Sequence, residues 1–345
     1  MMQELLPKVF VVSSPVFELL ASMFRLQSHE RLSKGAILSP AQDFDLDQWI
    51  ERVRQELPDD TMKSLEHFFH IESFIGLSLV QFAWRTNTYS SCDDFLNLLR
   101  ATSPYDLFAL FMQTGYLPGT IEDIHDTAEV TDFIKKSALP EIEKWKLAYM
   151  YLDIENTKQR FTELVAKCYA LYFKNEWENL KRLQAASIRN LMGQIKTRKD
   201  ISHRFPYMDE KSVLDTDTTI VLAPSVLYHF NALSSDDETG STLINLYGVR
   251  YLDARTGYDE IVESLKLISD ETRIKIIKML NTGPRYGYEL AERLNLASST
   301  ISHHLAMLSA ARLVSPTRRD NRVYYELNKD NVRELMASLT TTLCE

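Results

Sequence analysis

Cysteine is scarce in this 345-residue chain, with three in all. Cys92, Cys168 and Cys344 lie far apart and are odd in number, which argues against a disulfide framework and for a reducing cytoplasm. Glycine is scarce as well, at ten. Long stretches without Gly or Pro favour helix. No Gly-rich phosphate loop and no GxSxG elbow occurs. Long apolar runs are missing too. The longest uncharged run, Thr218–Ser235, holds Pro224, His229, Asn231 and several hydroxyls, so it would insert poorly into a bilayer. The opening MMQELLPKVFVV has no basic start and no small-residue cleavage site, so a secretory signal is not expected.

Positive charge is in deficit overall, and the net charge of −9 does not suggest nucleic acid. Its distribution says more. Residues 258–345 hold 12 Lys/Arg and 12 Asp/Glu, so the remainder carries the whole deficit. Within 297–325, Arg312, Arg318, Arg319 and Arg322 face Asp320 alone. One small basic surface is expected in an otherwise acidic protein.

What is present is mostly helical pattern. SPVFELLASMFRLQ at 14–27 places Phe17, Leu20, Met23 and Phe24 on one face. SHERLSKGAILSPAQDFDLD then reads as loop. Helical spacing returns at about 47–57, 60–85, 92–101, 104–114 and 120–138, and its longest tract is 140–195, where Phe161, Leu164, Val165, Cys168, Leu171 and Tyr172 form a stripe. From 198 the texture changes. TTIVLAPSVLYHF and STLINLYGVRYLD are rich in β-branched and aromatic residues and predict two or three strands in a small sheet. ARTG at 254–257 reads as a linker.

The last 88 residues follow a tighter order. YDEIVESLKLI predicts a helix, and Asp270 can cap ETRIKIIKML. YELAERLN is a short helix, and a turn leads into STISHHLAMLSAA. LVSPTRR and RVYYELN predict a hairpin turning at Asp320-Asn321, and NKDNVRELMASLTTTL closes as a helix. This is the order of a winged helix-turn-helix. The blocks SDETRIKIIKMLNTG, YELAERLNLASSTISHHLAMLSAARLV and RRDNRVYYELN closely resemble the ArsR family of bacterial transcription regulators, over about a quarter of the chain. The resemblance implies DNA binding.

On the helix at 298–310, Ile301, Leu305 and Leu308 fall on one side and are expected to pack inward. His304 lies beside that stripe and is expected to pack or to meet phosphate rather than read a base. Ser299, Thr300, Ser302, His303 and Ala306 occupy the remaining arc near the helix's positive end, and Ser298 precedes them in the same DNA-facing set. Short hydroxyls let a backbone approach a groove, and serine, threonine and histidine bond to base edges or phosphate. Adjacent helical residues point about 100° apart, so His303 and His304 are poorly placed to chelate one ion. Arg318, Arg319 and Arg322 on the hairpin are expected to lie along the DNA backbone or minor groove. The plain alternative is a solvated polar face, against which the complete block order argues.

Two departures from the family pattern matter. Many ArsR members sense metal through a Cys-x-Cys pair just before Glu-Leu. Here the position reads Tyr286-Gly287-Tyr288-Glu289-Leu290, and phenols are poor soft-metal ligands. The last helix contains no histidine in NKDNVRELMASL, so the family's other metal site is missing as well. Ala297 stands where the family offers a capping serine, which leaves Ser298 as the candidate cap.

Elsewhere, Glu66, His67, His70 and Glu72 in SLEHFFHIESF have spacings that could supply metal ligands from one helix, or simply pack among Phe68, Phe69, Ile71 and Phe74. Tyr169, Tyr172, Phe173 and Trp177 could line a pocket, though aromatics at helical spacing are more often core.

The sequence therefore predicts a mainly α fold: a large helical region at 1–256, containing a small β-sheet within 198–256, and a winged helix-turn-helix at 257–345. The function expected is a cytoplasmic, homodimeric DNA-binding transcription regulator, by default a repressor, acting on a pseudo-palindromic double-stranded operator. No cofactor, metal or membrane is expected, and the amino-terminal region is expected to answer to an unknown small-molecule effector or partner. The rival readings are an enzyme, or a protein-interaction module, with an appended winged helix.

Overall fold

Residues 2–12 form a pair of strands, and they carry the chain into a sheet whose other members lie two hundred residues away. The computed structural model describes residues 2–33, 44–113, 121–205, 208–228, 232–236, 240–249, 265–311, 313–319 and 322–344. Strands β1 (Met2–Leu6) and β2 (Val9–Val12) form a hairpin around Pro7-Lys8, with Lys8 at φ 59°. Proline suits the first position of such a turn, and the second takes the positive φ. β2 pairs in parallel with β3 (Thr219–Ser225), β3 in parallel with β5 (Thr242–Gly248), and β4 (Ala232–Asp236) antiparallel with β5. The order is β1-β2-β3-β5-β4.

The residue pattern predicts two or three strands in 198–256 and none at the amino end. The sheet has five, and VFVV supplies the one that flanks β3. Parallel strands are covered on both faces, so they read as near-continuous apolar runs, and β3 (TIVLAPS) and β5 (TLINLYG) are buried beyond their first residue. Val221, Ala223, Ile244 and Leu246 join a large core with α1 (Pro15–Ser33) and its neighbours. Ile220, Leu222, Leu243 and Tyr247 join a smaller core with Val9 and Val11. That core is closed by Ile188 and Leu191 of α10 (Lys174–Gln194), Ile201 of α11 (Arg198–Arg204) and Val213 of α12 (Glu210–Leu214).

Between α1 and α10 run α2 (Leu46–Glu56), α3 (Asp59–Phe68), α4 (Leu79–Arg85), α5 (Cys92–Ala101), α6 (Pro104–Phe111), α7 (Thr127–Lys136), α8 (Glu141–Leu152) and α9 (Ile154–Cys168). Caps set several boundaries: Asp45, Ser91, Ser103 and Asp126 each accept an N–H from the first turn of the helix that follows. The periodic stretch 60–85 is not one helix. It breaks after Phe68 and resumes through a short 3₁₀ turn at Ile75–Ser78. The long tract 140–195 divides at Asp153, then passes from α9 to α10 through a π-helical turn at Tyr169–Phe173. The helix read as ending at 27 continues to Ser33.

The carboxy-terminal part has its own core of Leu267, Ile276, Leu280, Leu290, Ala291, Ile301, Leu305, Leu308, Leu313, Val314 and Leu327, which shares no residue with the other two. Its elements are a helical turn at 265–268, α13 (Glu271–Leu280), β6 (Arg285–Tyr286), α14 (Gly287–Leu294), α15 (Ser298–Ala310), β7 (Val314–Arg319), β8 (Arg322–Leu327) and α16 (Lys329–Cys344). β6, β8 and β7 make an antiparallel sheet in that order. The expected linker at 254–257 and the turn at Asp320-Asn321 lie outside the described residues.

Candidate nucleic-acid interface

The helix-turn-helix pair is α14 and α15. Asn295, in the left-handed region at φ 54°, ends α14, and asparagine tolerates that conformation well. Three residues later, at Ser298, α15 begins. Its N-cap is Ala297, and no side chain caps it. Ser298 is therefore the first helical residue and exposed, not the cap that the sequence suggested. Ala297 offers the first-turn N–H groups of α15 no side-chain acceptor, and uncapped helix amino ends favour an anion.

Ile301, Leu305 and Leu308 are almost completely buried and fix the rotation of α15 against the domain core. The opposite arc follows from that anchoring. Ser298, Ser302 and Ala306 are exposed, and Thr300 and His303 are half-buried. Ser299 is the second residue of the helix. The exposed part is thus short, uncharged and hydroxyl-bearing, the shape that lets a helix backbone come close to base edges.

His304 is turned elsewhere. Its side chain is 12% exposed, and Nδ1 lies 3.8 Å from a carboxylate oxygen of Asp270. Asp270 caps α13 by accepting the N–H of Arg273 at 2.9 Å. Burial depresses the His304 pKa, with the Asp270 charge opposing and Arg273 assisting. The two histidines therefore have different surroundings although they are adjacent. Arg273, itself buried, donates to the carbonyls of Leu267 and Lys266 and meets the Met307 sulfur at 3.3 Å. It ties the turn at 265–268 to the reading helix.

The hairpin carries the three arginines where the sequence put them. Arg319 and Arg322 are register partners at its tip, and Arg318 pairs with Val323. β6 holds the base of this wing, with Arg285 opposite Tyr325 and Tyr286 opposite Tyr324. Tyr286 stacks on Tyr288 and meets Tyr324 edge-on. Phenol rings thus occupy the place where many family members carry their thiol pair.

The other candidates resolve differently. α3 stops at Phe68, so His67 and His70 do not share one helical face. His67 packs edge-on against Phe68 and is pushed down to about 4, mainly by burial and then by the charges of Arg160 and Lys146. His70 meets the fully buried Glu143 at 3.2 Å, and Glu72 binds Arg31. Among the described residues no group of three or more His, Cys, Asp or Glu could hold a metal ion. Tyr172 and Phe173 are core, and Trp177 stacks on Phe173. Cys168 is buried, which pushes its thiol up to about 12.

One polar feature lies outside the residues that the sequence singles out. Glu18, Ser22 and Arg25 lie on one side of α1, four and three residues apart, and each is at most 1% exposed. Glu18 accepts the N–H groups of Leu227 at 2.9 Å and Val226 at 3.3 Å, and Gln184 Nε2 at 2.6 Å. Ser13 donates to Gln184 Oε1 at 2.7 Å, and Ser22 meets the Tyr172 hydroxyl at 2.8 Å. Burial pushes the Glu18 carboxyl up to about 7, against the lowering by those hydrogen bonds. It lowers Arg25 to about 10. Ser13 follows β2 and Val226 follows β3, so this network sits at the carboxyl ends of parallel strands, where open parallel sheets place ligands. The signal in the sequence was two charged residues, Glu18 and Arg25, inside an otherwise apolar or neutral PVFELLASMFRLQ.

A three-stranded wing, a buried-stripe helix with a small polar outer face, and a preceding helix that props it define a DNA-binding transcription regulator. Comparison with known proteins agrees. The model of "Bacterial regulatory protein, arsR family" matches residues 270–315. The transcriptional repressor SdpR of Bacillus subtilis is 41% identical over 63 residues, which are 18% of this chain and 70% of that protein. An arsenical resistance operon repressor of Staphylococcus aureus is 29% identical over 82 residues, 24% of this chain and 79% of its own length. The transcriptional activator HlyU of Vibrio cholerae is 32% identical over 81 residues, covering 24% and 75%. Through its carboxy-terminal domain the chain belongs to the arsR family. No helix of the described residues is long and apolar enough to cross a membrane.

Proposed function

We propose that the protein is a homodimeric repressor that binds a pseudo-palindromic operator, and that its amino-terminal region converts an effector or partner signal into a change of operator affinity. Thr300, Ser302 and His303 read base edges in the major groove, with Ser298 and Ser299 at the amino end of α15 receiving phosphate. His304 holds α15 against Asp270. Arg318, Arg319 and Arg322 grip the backbone or minor groove. Paired recognition helices reach half-sites roughly one turn, ~34 Å, apart. The domain division at 256/257 separates the reading head from the sensing region.

The observation that carries this reading is the exposed, uncharged, hydroxyl-bearing arc of α15, held outward by Ile301, Leu305 and Leu308. Two relatives are named as repressors and one as an activator, and repression by occlusion needs only occupancy. The buried Glu18–Gln184 network supports a sensing role for the larger region. An effector acts there only by binding two states unequally. A gel shift with the DNA upstream of the protein's own gene, with and without unrelated competitor, tests the reading. A band that survives competitor is expected, and one that competitor abolishes at equal mass would remove the operator claim.

A further inference from the structure

We infer that α8 is a self-association surface, on which a second copy of this chain docks its own α8 in antiparallel orientation. The face in question carries Ile142, Trp145, Tyr149 and Leu152, which are 61%, 72%, 55% and 76% exposed. They recur at three, four and three residues, so all four lie on one side of the helix. The opposite side, Glu143, Leu147, Met150 and Tyr151, is buried in the large core. Glu143 is clamped there by His70 and Lys146. The outer stripe is therefore presented on a helix whose position is already fixed.

Exposed aromatic and aliphatic side chains scattered singly need no explanation, but four in one line do. Side chains of this size expose on the order of 500 Å² at these fractions, more than half of the roughly 800 Å² that each partner buries in a stable interface. The stripe is also symmetric about its own centre. Turned end over end, it places Ile142 opposite Leu152 of the second copy and Trp145 opposite Tyr149. A two-fold interface requires this self-complementarity, whereas an unrelated partner does not. Antiparallel packing also sets the two helix dipoles favourably. The inference does not rest on the DNA-binding reading, since it concerns a face in the amino-terminal region.

The test uses the full chain with Cys344 replaced by serine, because Cys92 and Cys168 are buried. In the double variant Ile142→Cys/Leu152→Cys, each new thiol faces its complement across the pair, and a short bifunctional thiol reagent should give covalent dimers at low micromolar protein. The single variants hold their thiols ~15 Å apart along the helix and should link poorly. Sedimentation of Trp145→Glu should show the dimer dissociation constant raised roughly tenfold or more, the effect of losing a central anchor. Equal linking by single and double variants, a wild-type chain monomeric across the concentration range, or an unchanged constant in Trp145→Glu would each overturn the inference. Half-site DNA binding by Trp145→Glu, measured in parallel, separates failure of this pairing from failure of the reading head.

Discussion

The winged domain turns the hydroxyls of α15 outward and buries few polar side chains, Arg273 and Ser309 among them, whereas the amino-terminal region encloses a connected polar network. Around α15 the core is aliphatic, and the hydroxyls that matter point away from it. Around α1 the core encloses Glu18, Ser22, Arg25 and Gln184, all at most 1% exposed. A surface that meets a polyanion needs only groups placed on a rigid support. A buried network costs free energy unless every member is satisfied, so it persists where it fixes an arrangement or titrates. The proposed division, contact by the winged domain and conformational setting by the larger region, follows that difference.

The sharpest way to separate them is to damage one core. Leu305→Ala should cost about 2–5 kcal/mol in the winged domain, because Leu305 is almost completely buried in its core. Calorimetry should then show one transition lowered and that of the amino-terminal region unmoved, with DNA binding lost at the lowered temperature. A single transition shifting as a whole would show that the two regions melt together.

The next largest effect lies in the other region. The folded-state pKa of Glu18, about 7, exceeds its ordinary 4.5. The folded state therefore keeps a proton that the unfolded chain has released, so stability is greatest below about pH 4.5. It falls by roughly 3 kcal/mol as pH rises to about 7. Denaturant titrations across that interval should show the decline in the amino-terminal transition, and Glu18→Gln should flatten it. Superimposable profiles would remove Glu18 as a titrating element.

At the reading face the effects are smaller and of two kinds. Thr300→Ala and Ser302→Ala should relax discrimination between sites by about 1–3 kcal/mol per lost base contact. Selection of bound sites from random DNA would then return a degenerate motif, and an unchanged motif would exclude base reading by these two residues. The wing arginines should act on all sequences alike. Each of Arg318→Ala, Arg319→Ala and Arg322→Ala should reduce the salt slope of binding by about 0.9. A triple variant with the wild-type slope would move phosphate contact elsewhere.

The same division explains what could be read from the residues alone. The winged domain is assembled from neighbours in sequence. ETRIKIIKML, YELAERLN and STISHHLAMLSAA carry their own periods and boundaries, and RRDNRVYYELN pairs with itself. Local chemistry therefore specified it, apart from the two-residue β6 and the uncapped start of α15. The sheet of the larger region joins β2 to β3 across more than two hundred residues. Nothing within MMQELLPKVFVV announces that partner, because a four-residue apolar run is ambiguous without it. Glu18 is inconspicuous in sequence for a related reason. Residues 15–26 of α1 are buried on all sides and leave no polar face to reveal which charges are inside. The α8 stripe is not legible in sequence because Leu147, Met150 and Tyr151 give that helix a second apolar side, and only the fold decides which side is covered.

Hydroxyl-radical footprinting of the full chain on the DNA upstream of its gene tests the central claim most directly. Two symmetric recognition helices should protect two patches on one face of the duplex, centred ~10–10.5 base pairs apart or a multiple of that spacing. Uniform protection, or none even in dilute buffer, would contradict the reading of α15 and the wing as a paired operator-binding surface.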